Sequence, residues 1–255
     1  MSEPTQAEYI ATLIDLHRGL PRQGPGDPEF TRQLLCRLPT LPAHPRIADL
    51  GCGSGAGTLL LAKHYGSLVR AVDAAPDFIE ELRDKAAAAG LGHLVEAVCA
   101  DMATLDWPPA SIDLLWSEGA AYNLGFEQAL RAWRRIVSTG GVVIVSEMSW
   151  FSDTVPDPAR RFWETAYPTM GTEQQNIDRA TAAGFSVVFT ERLPSNAWWE
   201  HYYSPLRERM RKPDVADMNQ VVIRETKQEM ALFERYSDYY GYTFYILQKP
   251  YDAIA

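Results

Sequence analysis

The sequence predicts an α/β fold built on a doubly wound, mostly parallel sheet. Three observations support this prediction. Short apolar segments alternate with segments of helical period between residues 46 and 150. A glycine-rich loop follows the first apolar segment and leads into a helix. The chain has 255 residues, 46% of them hydrophobic and 22% charged, a composition typical of one soluble globular domain.

Two helices are predicted before the alternating region. The first is an amphipathic helix at about residues 5 to 17, and a loop rich in glycine and proline follows it at residues 18 to 27. Asp27 and Pro28 are typical of an N-cap and a first helical residue, so a second helix is predicted from there through Leu38.

The alternating region itself is predicted to contain five strands and three helices. Pro76 and Gly90 mark the two ends of one of these helices. The strands are predicted at residues 46–50, 67–73, 94–101, 111–118 and 142–150, and the helices at about 56–65, 75–90 and 125–141.

The C-terminal third is less regular. A helix followed by a strand is predicted within residues 176–194, and a last strand within 242–250. Residues 195–240 between them are largely helical in pattern and unusually aromatic. We therefore expect a helical cap inserted before the last strand.

Bulk properties exclude several classes of function. The net charge is −9, from 24 basic and 33 acidic residues, and such a surface repels nucleic-acid phosphates. The three cysteines are isolated, which indicates a reducing compartment. The N-terminus lacks a signal-peptide pattern and no apolar run reaches membrane-spanning length, so a cytoplasmic protein without a membrane partner is expected. No metal site is predicted, because the five histidines show no ligand spacing. The oligomeric state is left open, a dimer included.

The most informative stretch is the loop after the first strand. Gly51, Gly53 and Gly55 alternate there, and such glycines let a backbone approach a ligand closely. The loop also satisfies a dinucleotide fingerprint, so alone it is ambiguous. Asp49 lies two residues before it and favours a ligand with an ammonium group over a pyrophosphate, which a carboxylate would repel.

Two further carboxylates follow the next strands. Asp73 ends the second predicted strand, where a carboxylate can accept both hydroxyls of a ribose. Asp101 ends the third predicted strand and can accept the exocyclic amine of adenine, while the Met102 backbone N–H can donate to a ring nitrogen. A ligand with an amino-acid head, a ribose and an adenine fits all three positions. That ligand is S-adenosylmethionine.

Residues 45 to 150 resemble the class I S-adenosylmethionine-dependent methyltransferases, through the segments DLGCGSG, AVDAAPDFIE, CADM and STGGVVIVSE. The resemblance implies a Rossmann-like fold. The flanks LHRGLPRQGPGD and WSEGAAYNLGFEQAL resemble a bacterial subgroup labelled ubiquinone/menaquinone-biosynthesis-like methyltransferases. The resemblance, together with the expected place of each residue in the cleft, implies the following cofactor contacts. Asp49, Gly51, Cys52, Gly53 and Gly55 contact the methionine end, Asp73 and Ala74 the ribose, and Asp101 and Met102 the adenine. Ser117 lies near the methionine end, and Arg18 lies near its carboxylate.

The acceptor is expected at the rim after the fourth strand. Methyl transfer requires alignment and exclusion of water, and a base only where the attacking atom holds a proton tightly. Glu118 is the candidate base or anchor for a polar acceptor, and Tyr122 is a further catalytic candidate beside it. Glu118 could equally pair with an arginine of the N-terminal loop. Arg18 and Arg22 could instead anchor an acidic substrate.

The predicted cap contains a dense aromatic cluster at residues 198–203. His201 is its candidate base, and the rings could form a wall for a planar aromatic acceptor or, through cation–π contact, for an amine. At helical spacing the same residues could instead belong to the core.

These observations predict an S-adenosylmethionine-dependent methyltransferase acting on a small-molecule acceptor. The alternatives are a non-catalytic cofactor-binding domain and an NAD(P)-dependent reductase, although a Tyr-x-x-x-Lys pair is not evident. We divide the single predicted domain into an N-terminal helical lid (1–44), a Rossmann-like core (45–194), the cap insertion (195–240) and the last strand with a tail (241–255).

Overall fold

The computed structural model describes residues 4–251, which form a mixed sheet between two layers of helices. The first three residues of the predicted lid and the last four of the predicted tail lie outside the described residues. The strands are β1 (Ile47–Leu50), β2 (Val69–Asp73), β3 (Val95–Cys99), β4 (Ile112–Ser117), β5 (Val137–Trp150), β6 (Gly171–Thr172), β7 (Ser186–Arg192) and β8 (Tyr240–Gln248).

The sheet has the strand order β3-β2-β1-β4-β5-β8-β7, and β6 pairs with the end of β5. All pairs from β3 to β5 are parallel, whereas β8 runs antiparallel to both β5 and β7. The chain order reverses between β1 and β4, so the carboxyl ends of β1, β2 and β4 form the crevice in which such sheets bind ligands. The predicted doubly wound, mostly parallel α/β fold is confirmed.

The helices confirm most of the predicted elements. They are α1 (Gln6–His17), α2 (Pro28–Leu35), α3 (Ala56–Tyr65), α4 (Pro76–Ala88), α5 (Phe126–Trp133), α6 (Asp157–Ala166), α7 (Glu173–Ala182), α8 (Ser195–Trp198), α9 (Ser204–Arg209) and α10 (Gln220–Tyr236). The Asp27 carboxylate caps α2 by accepting from the backbone N–H of Glu29 and Phe30 at 2.6 and 3.2 Å. This helix ends before Leu38, because that residue precedes Pro39 and the α conformation is disfavoured there.

The largest error in a predicted boundary concerns α5. The helix expected through residue 141 ends at Trp133, and β5 begins at Val137. Val137 pairs with Ile112, and the register then shifts so that Val142 pairs with Leu114. Pairing with β4 therefore outweighs the helical period of this segment. Helix α6 and strand β6 were not predicted.

Each face of the sheet carries its own core. On one face Trp116, Ile144 and Phe244 pack with side chains from α2, α3, α6 and α10. On the other face Leu115 and Tyr245 pack against α5 and α7. Because both faces are covered, the central strands are mostly apolar on both sides, and their few polar residues, such as Asp49 and Glu147, are buried.

The segment between β7 and β8 is helical, as expected of the inserted cap. It packs on the N-terminal helix through Leu16, Leu206 and Ile223. Trp198 and Tyr203, from the aromatic cluster, belong to the core at 2% and 1% exposure. Within residues 4–251, no helix is both long and apolar enough to span a bilayer.

Candidate functional site

The glycine loop crosses the carboxyl edge of the sheet between β1 and α3. The backbone N–H groups of Gly51 and Cys52 both donate to the Val72 carbonyl, at 2.8 and 3.0 Å. Gly51, Gly53 and Gly55 have φ values of +74°, +52° and +91°, a region that L side chains rarely adopt. A Cβ at Gly51 would also overlap the Ala120 side chain. Glycine is therefore required here by conformation as well as by space.

Asp73 organises this loop with both of its carboxylate oxygens. Oδ2 accepts from the Gly53 N–H at 2.8 Å and Oδ1 accepts from the Ala75 N–H at 2.9 Å. Burial raises the pKa of Asp73, and these backbone hydrogen bonds lower it in part. The side chain is half-buried, and each oxygen keeps a lone pair for a ligand hydroxyl. The exposed Ala74 backbone follows directly.

Asp49 lies beneath the loop at 2% exposure. Its Oδ2 accepts one hydrogen bond, from the Thr58 hydroxyl at 2.6 Å. Burial raises the pKa of Asp49 to about 7, and the Thr58 hydroxyl lowers it in part. A cation bound beside this carboxyl would stabilise its ionised form. The buried group thus fits a ligand ammonium.

Asp101 and Met102 lie beyond the end of β3 rather than within the strand. The strand stops at Cys99, and the exposed Asp101 carboxylate accepts from the Ala103 N–H at 2.8 Å in the following turn. The Met102 carbonyl accepts from the indole N–H of Trp133 at 3.0 Å. This turn places the Met102 side chain near Gly51, where a built Cβ would lie 3.7 Å from its sulfur.

The N-terminal loop covers the crevice through two contacts, of which the sequence offered only the second, as an alternative. The Gln23 carboxamide oxygen accepts from the Ser54 N–H at 2.8 Å. The Arg22 guanidinium lies 2.6 Å from the Glu118 carboxylate, and each side chain is only 9% exposed. A Cβ at Gly26 would overlap both partners of this ion pair.

Arg22 is therefore the arginine of this loop that enters the crevice. Arg18 is 53% exposed and lies 3.4 Å from Asp77 at the rim. The alternative interpretation of Glu118, a carboxylate paired with an N-terminal arginine, is the arrangement observed.

Residues after β4 form the far wall of the crevice. The buried Ser117 hydroxyl donates to the Leu50 carbonyl at 2.9 Å and so joins β4 to β1. Tyr122 is 45% exposed, and its ring contacts Tyr167 edge-on at 6.0 Å between centroids. The surrounding protein and the charge of Glu229 both raise the pKa of Tyr122.

The structure separates His201 from this wall. Its Nε2 lies 3.5 Å from Asp27, and it lines a pocket of about 290 Å³ with Arg22 and Glu200 among others. The neighbouring Tyr202 turns the other way and its hydroxyl lies 3.0 Å from the His17 Nε2.

Sequence reasoning missed one buried carboxyl group. Glu147 on β5 is 2% exposed, and within residues 4–251 neither of its oxygens has a hydrogen-bond partner. Burial raises the pKa of Glu147 to about 8, and the nearby Tyr167 hydroxyl lowers it in part. A lone acid inside an apolar strand was the only signal available.

Comparisons with known proteins find methyltransferases among the similar sequences. Residues 48–145 match a family model described as a methyltransferase domain. Malonyl-(acyl-carrier protein) O-methyltransferase of Herminiimonas arsenicoxydans is 28% identical over 62% of this chain and 60% of its own. The 2-methyl-6-phytyl-1,4-hydroquinone methyltransferase of Synechocystis is 28% identical over 74% of this chain and 54% of its own. The chain thus spans less than two thirds of these curated relatives.

Solved structures share the whole fold. A methyltransferase from Geobacter sulfurreducens in complex with S-adenosylhomocysteine has a TM-score of 0.75 at 20% identity, over 97% of this chain and 99% of that one. The cyclase SpnF has a TM-score of 0.79 at 20% identity, over 99% of both chains. At these identities the likeness concerns the fold.

Proposed function

We propose that this chain, a member of the class I S-adenosylmethionine-dependent methyltransferase superfamily, transfers the methyl group of that cofactor to a small-molecule acceptor. The observation that carries the proposal is the crevice at the carboxyl edge of the sheet, with its glycine loop and two carboxyl groups. Its loop needs glycine at three positions, one carboxylate orders that loop, and a second carboxyl group is buried beneath it with a raised pKa. When bound, the cofactor supplies an electrophilic methyl group on a sulfonium.

The residues of the crevice fit the parts of the cofactor. Asp49 would hold its ammonium, together with the backbone of Gly51, Cys52, Gly53 and Gly55. Asp73 and Ala74 would hold the ribose, and Asp101 and Met102 would hold the adenine. The fit of Asp49 rests on its burial, with the Thr58 hydroxyl as a neutral donor and no ion pair to this carboxyl group within residues 4–251. Ser117 holds the two central strands together beneath the methionine end.

Glu118 acts in this proposal as a positioning residue. Its ion pair with Arg22 closes the N-terminal loop over the methionine end and excludes water from the crevice. Tyr122 lines the acceptor side. His201 and Arg18 lie at the edges of the lid, where they affect access of the acceptor and the cofactor carboxylate, respectively.

The names of the relatives do not define the acceptor. They include an O-methyltransferase of a carrier-bound malonyl group, a hydroquinone methyltransferase and, in Zea mays, phosphoethanolamine N-methyltransferase 1. SpnF carries the name of a cyclase on the same fold. The acceptor must therefore be argued from this chain's own side chains, and methyl transfer must be measured directly. Location in the cytoplasm stays a prediction from the sequence.

The test combines binding and turnover. Calorimetry should show that the protein binds S-adenosylmethionine and S-adenosylhomocysteine but not NAD. Incubation with methyl-labelled cofactor and a metabolite extract should move label into a small molecule. Gly53→Val is the matched control, because a Cβ there would lie 2.6 Å from the Gln23 oxygen and force a strained φ. Binding of NAD in place of the adenosyl ligands, or binding without any label transfer, would refute the proposal.

A further inference from the structure

Four tyrosines and one glutamate, Tyr122, Tyr202, Tyr203, Tyr242 and Glu229, come together where the inserted helices meet the far wall of the crevice. We name this group the tyrosine recess. The Tyr203 hydroxyl donates to Glu229 on α10 at 2.7 Å, and the Tyr202 and Tyr203 rings lie 5.0 Å apart. The Tyr242 hydroxyl lies against Gly119, where an added Cβ would approach it to 3.0 Å.

The charge of Glu229 acts on the whole recess. Burial raises the pKa of Tyr202 and Tyr242, desolvation by the surrounding protein raises that of the part-exposed Tyr122, and Glu229 raises all three further. The phenols therefore stay neutral. Burial also raises the pKa of Glu229, and the hydrogen bond from Tyr203 lowers it in part. The ring faces and the ionised form of this carboxyl group together give the recess a negative potential.

Glu147 adds a second, independent observation. It is nine-tenths or more buried, and within residues 4–251 its oxygens lack a hydrogen-bond partner of good geometry. Burial raises its pKa to about 8, and its ionised form would raise the pKa of Tyr122 and Tyr242. The Tyr167 ring, which contacts Tyr122 edge-on, lies beside this carboxyl group, and its hydroxyl lowers the Glu147 pKa in part. A second buried acid thus lies next to the recess.

Basic groups near the recess do not balance these acids. Arg22 is engaged with Glu118. The Arg179 charge lowers the pKa of Glu147 in part, but its guanidinium donates to Asn176 at 2.8 Å and forms no ion pair with Glu229 within residues 4–251. His17 contacts Tyr202, but burial lowers its pKa and keeps it neutral. In the part of the chain that the structure describes, neither Glu229 nor Glu147 has a cationic side chain within 4.0 Å.

We propose that the methyl acceptor is an aliphatic amine, bound as its ammonium form in the tyrosine recess. The inference rests on the proposed methyltransferase function and specifies its substrate class. Ring faces of several tyrosines attract an ammonium, and the carboxylate supplies its counter-charge. The same field disfavours carboxylate and phosphate groups at this position.

The reaction balances with groups already present. The bound ammonium loses one proton, which the Glu229 carboxylate accepts. The nitrogen lone pair then forms a bond to the methyl carbon, the carbon–sulfur bond breaks, and its electron pair stays on sulfur. The positive charge thus moves from the sulfonium to the methylated nitrogen.

Binding of a charged probe and its uncharged isostere tests the inference without turnover. The protein is first titrated with S-adenosylhomocysteine, and then with choline or with 3,3-dimethylbutan-1-ol, in which carbon replaces the nitrogen. We expect choline to bind about tenfold more tightly than the alcohol. Glu229→Gln should remove most of this preference, because its amide oxygen still accepts from Tyr203 but carries no charge. Glu234→Gln, an exposed position on the same helix, should keep the preference.

Each outcome decides one of the two proposals. Failure of S-adenosylhomocysteine to bind would overturn the proposed function and the inference that rests on it. If S-adenosylhomocysteine binds but the alcohol, or phenol as a neutral aromatic probe, binds as tightly as choline, only the amine proposal falls. It falls equally if Glu229→Gln keeps the preference, or if Glu234→Gln loses it. Because the comparison of probes is made on the unaltered protein, the test does not depend on a variant folding.

Discussion

Replacing Glu118 by glutamine should release the N-terminal loop from the crevice. The change removes the only charge that faces Arg22 within ion-pair distance in the described chain, and both side chains are 9% exposed. Breaking a buried ion pair by removing one partner costs about 3–5 kcal/mol when the remaining charge stays buried. Arg22 belongs to a loop, however, so the protein can avoid that cost by opening the loop and hydrating the guanidinium.

The free energy needed to open the N-terminal loop limits how much Glu118→Gln can destabilise the protein. Release of the loop breaks the Gln23–Ser54 hydrogen bond, worth about 1 kcal/mol, and exposes Leu20, now 7% exposed, at about 2 kcal/mol. Opening therefore costs about 3 kcal/mol. We expect Glu118→Gln to lower the free energy of unfolding by about 2–3 kcal/mol, mostly through the loop.

Urea unfolding and hydrogen exchange together check this reasoning. Exchange at residues 18–27 should become faster, while exchange in β5 stays unchanged. Glu127→Gln, which breaks the exposed Glu127–Arg131 pair of α5, is the matched control and should cost about 0.5 kcal/mol or less. A double-mutant cycle with Arg22→Met should give a coupling energy of about 1 kcal/mol or more. A loss in the range of the control, with unchanged exchange in the loop, would refute the role of this ion pair.

Four further predictions follow from the same contacts. Asp73→Ala should weaken binding of S-adenosylmethionine by about 1.5–3 kcal/mol in calorimetry, because hydrogen bonds to a charged acceptor are lost. Asp84→Ala, on the exposed face of α4, should leave the affinity unchanged. Equal affinities of the two variants would remove the ribose assignment. Trp198→Ala should lower the free energy of unfolding by about 3–5 kcal/mol, because the indole is 2% exposed and its ring centroid lies 4.2 Å from that of Phe233. A loss below about 1 kcal/mol, typical of an exposed site, would place Trp198 outside the core. The hydrogen-bonded ion pair with Arg46 lowers the pKa of Asp113 to about 2. By linkage, the Asp113 carboxylate therefore contributes about 2 kcal/mol to the stability of the fold above its ordinary pKa near 4, and this contribution is lost as the pH falls toward 2. Asp113→Asn should make the free energy of unfolding depend less on pH in that range. Burial raises the pKa of Glu147 to about 8, so the folded state loses stability as the pH rises from 4.5, the ordinary pKa of a glutamate, toward 8. Glu147→Gln should therefore raise the free energy of unfolding in urea at pH 7 by about 1–3 kcal/mol. A destabilised variant would contradict the cost assigned to burying this carboxyl group.

Local features of the sequence were sufficient for much of the fold. The N-cap Asp27 followed by Pro28 predicted the start of α2, because capping depends on groups within three residues of each other. The helix predicted at 56–65 coincides with α3 for the same reason. Predicted boundaries were wrong where long-range pairing competes, as at Val137, whose partner Ile112 lies on another strand.

The sequence by itself also determined where the crevice lies. Three alternating glycines after an apolar strand, with carboxylates at the ends of the neighbouring strands, define the loop through backbone conformation, which neighbouring residues in the chain control. Which charges meet there was decided by the tertiary structure alone. Arg22 reaches Glu118, and Glu229 reaches Tyr203, across spans of chain that only packing brings together. The raised pKa of Glu147 likewise comes from its burial, a property that arises only when both faces of the sheet are covered.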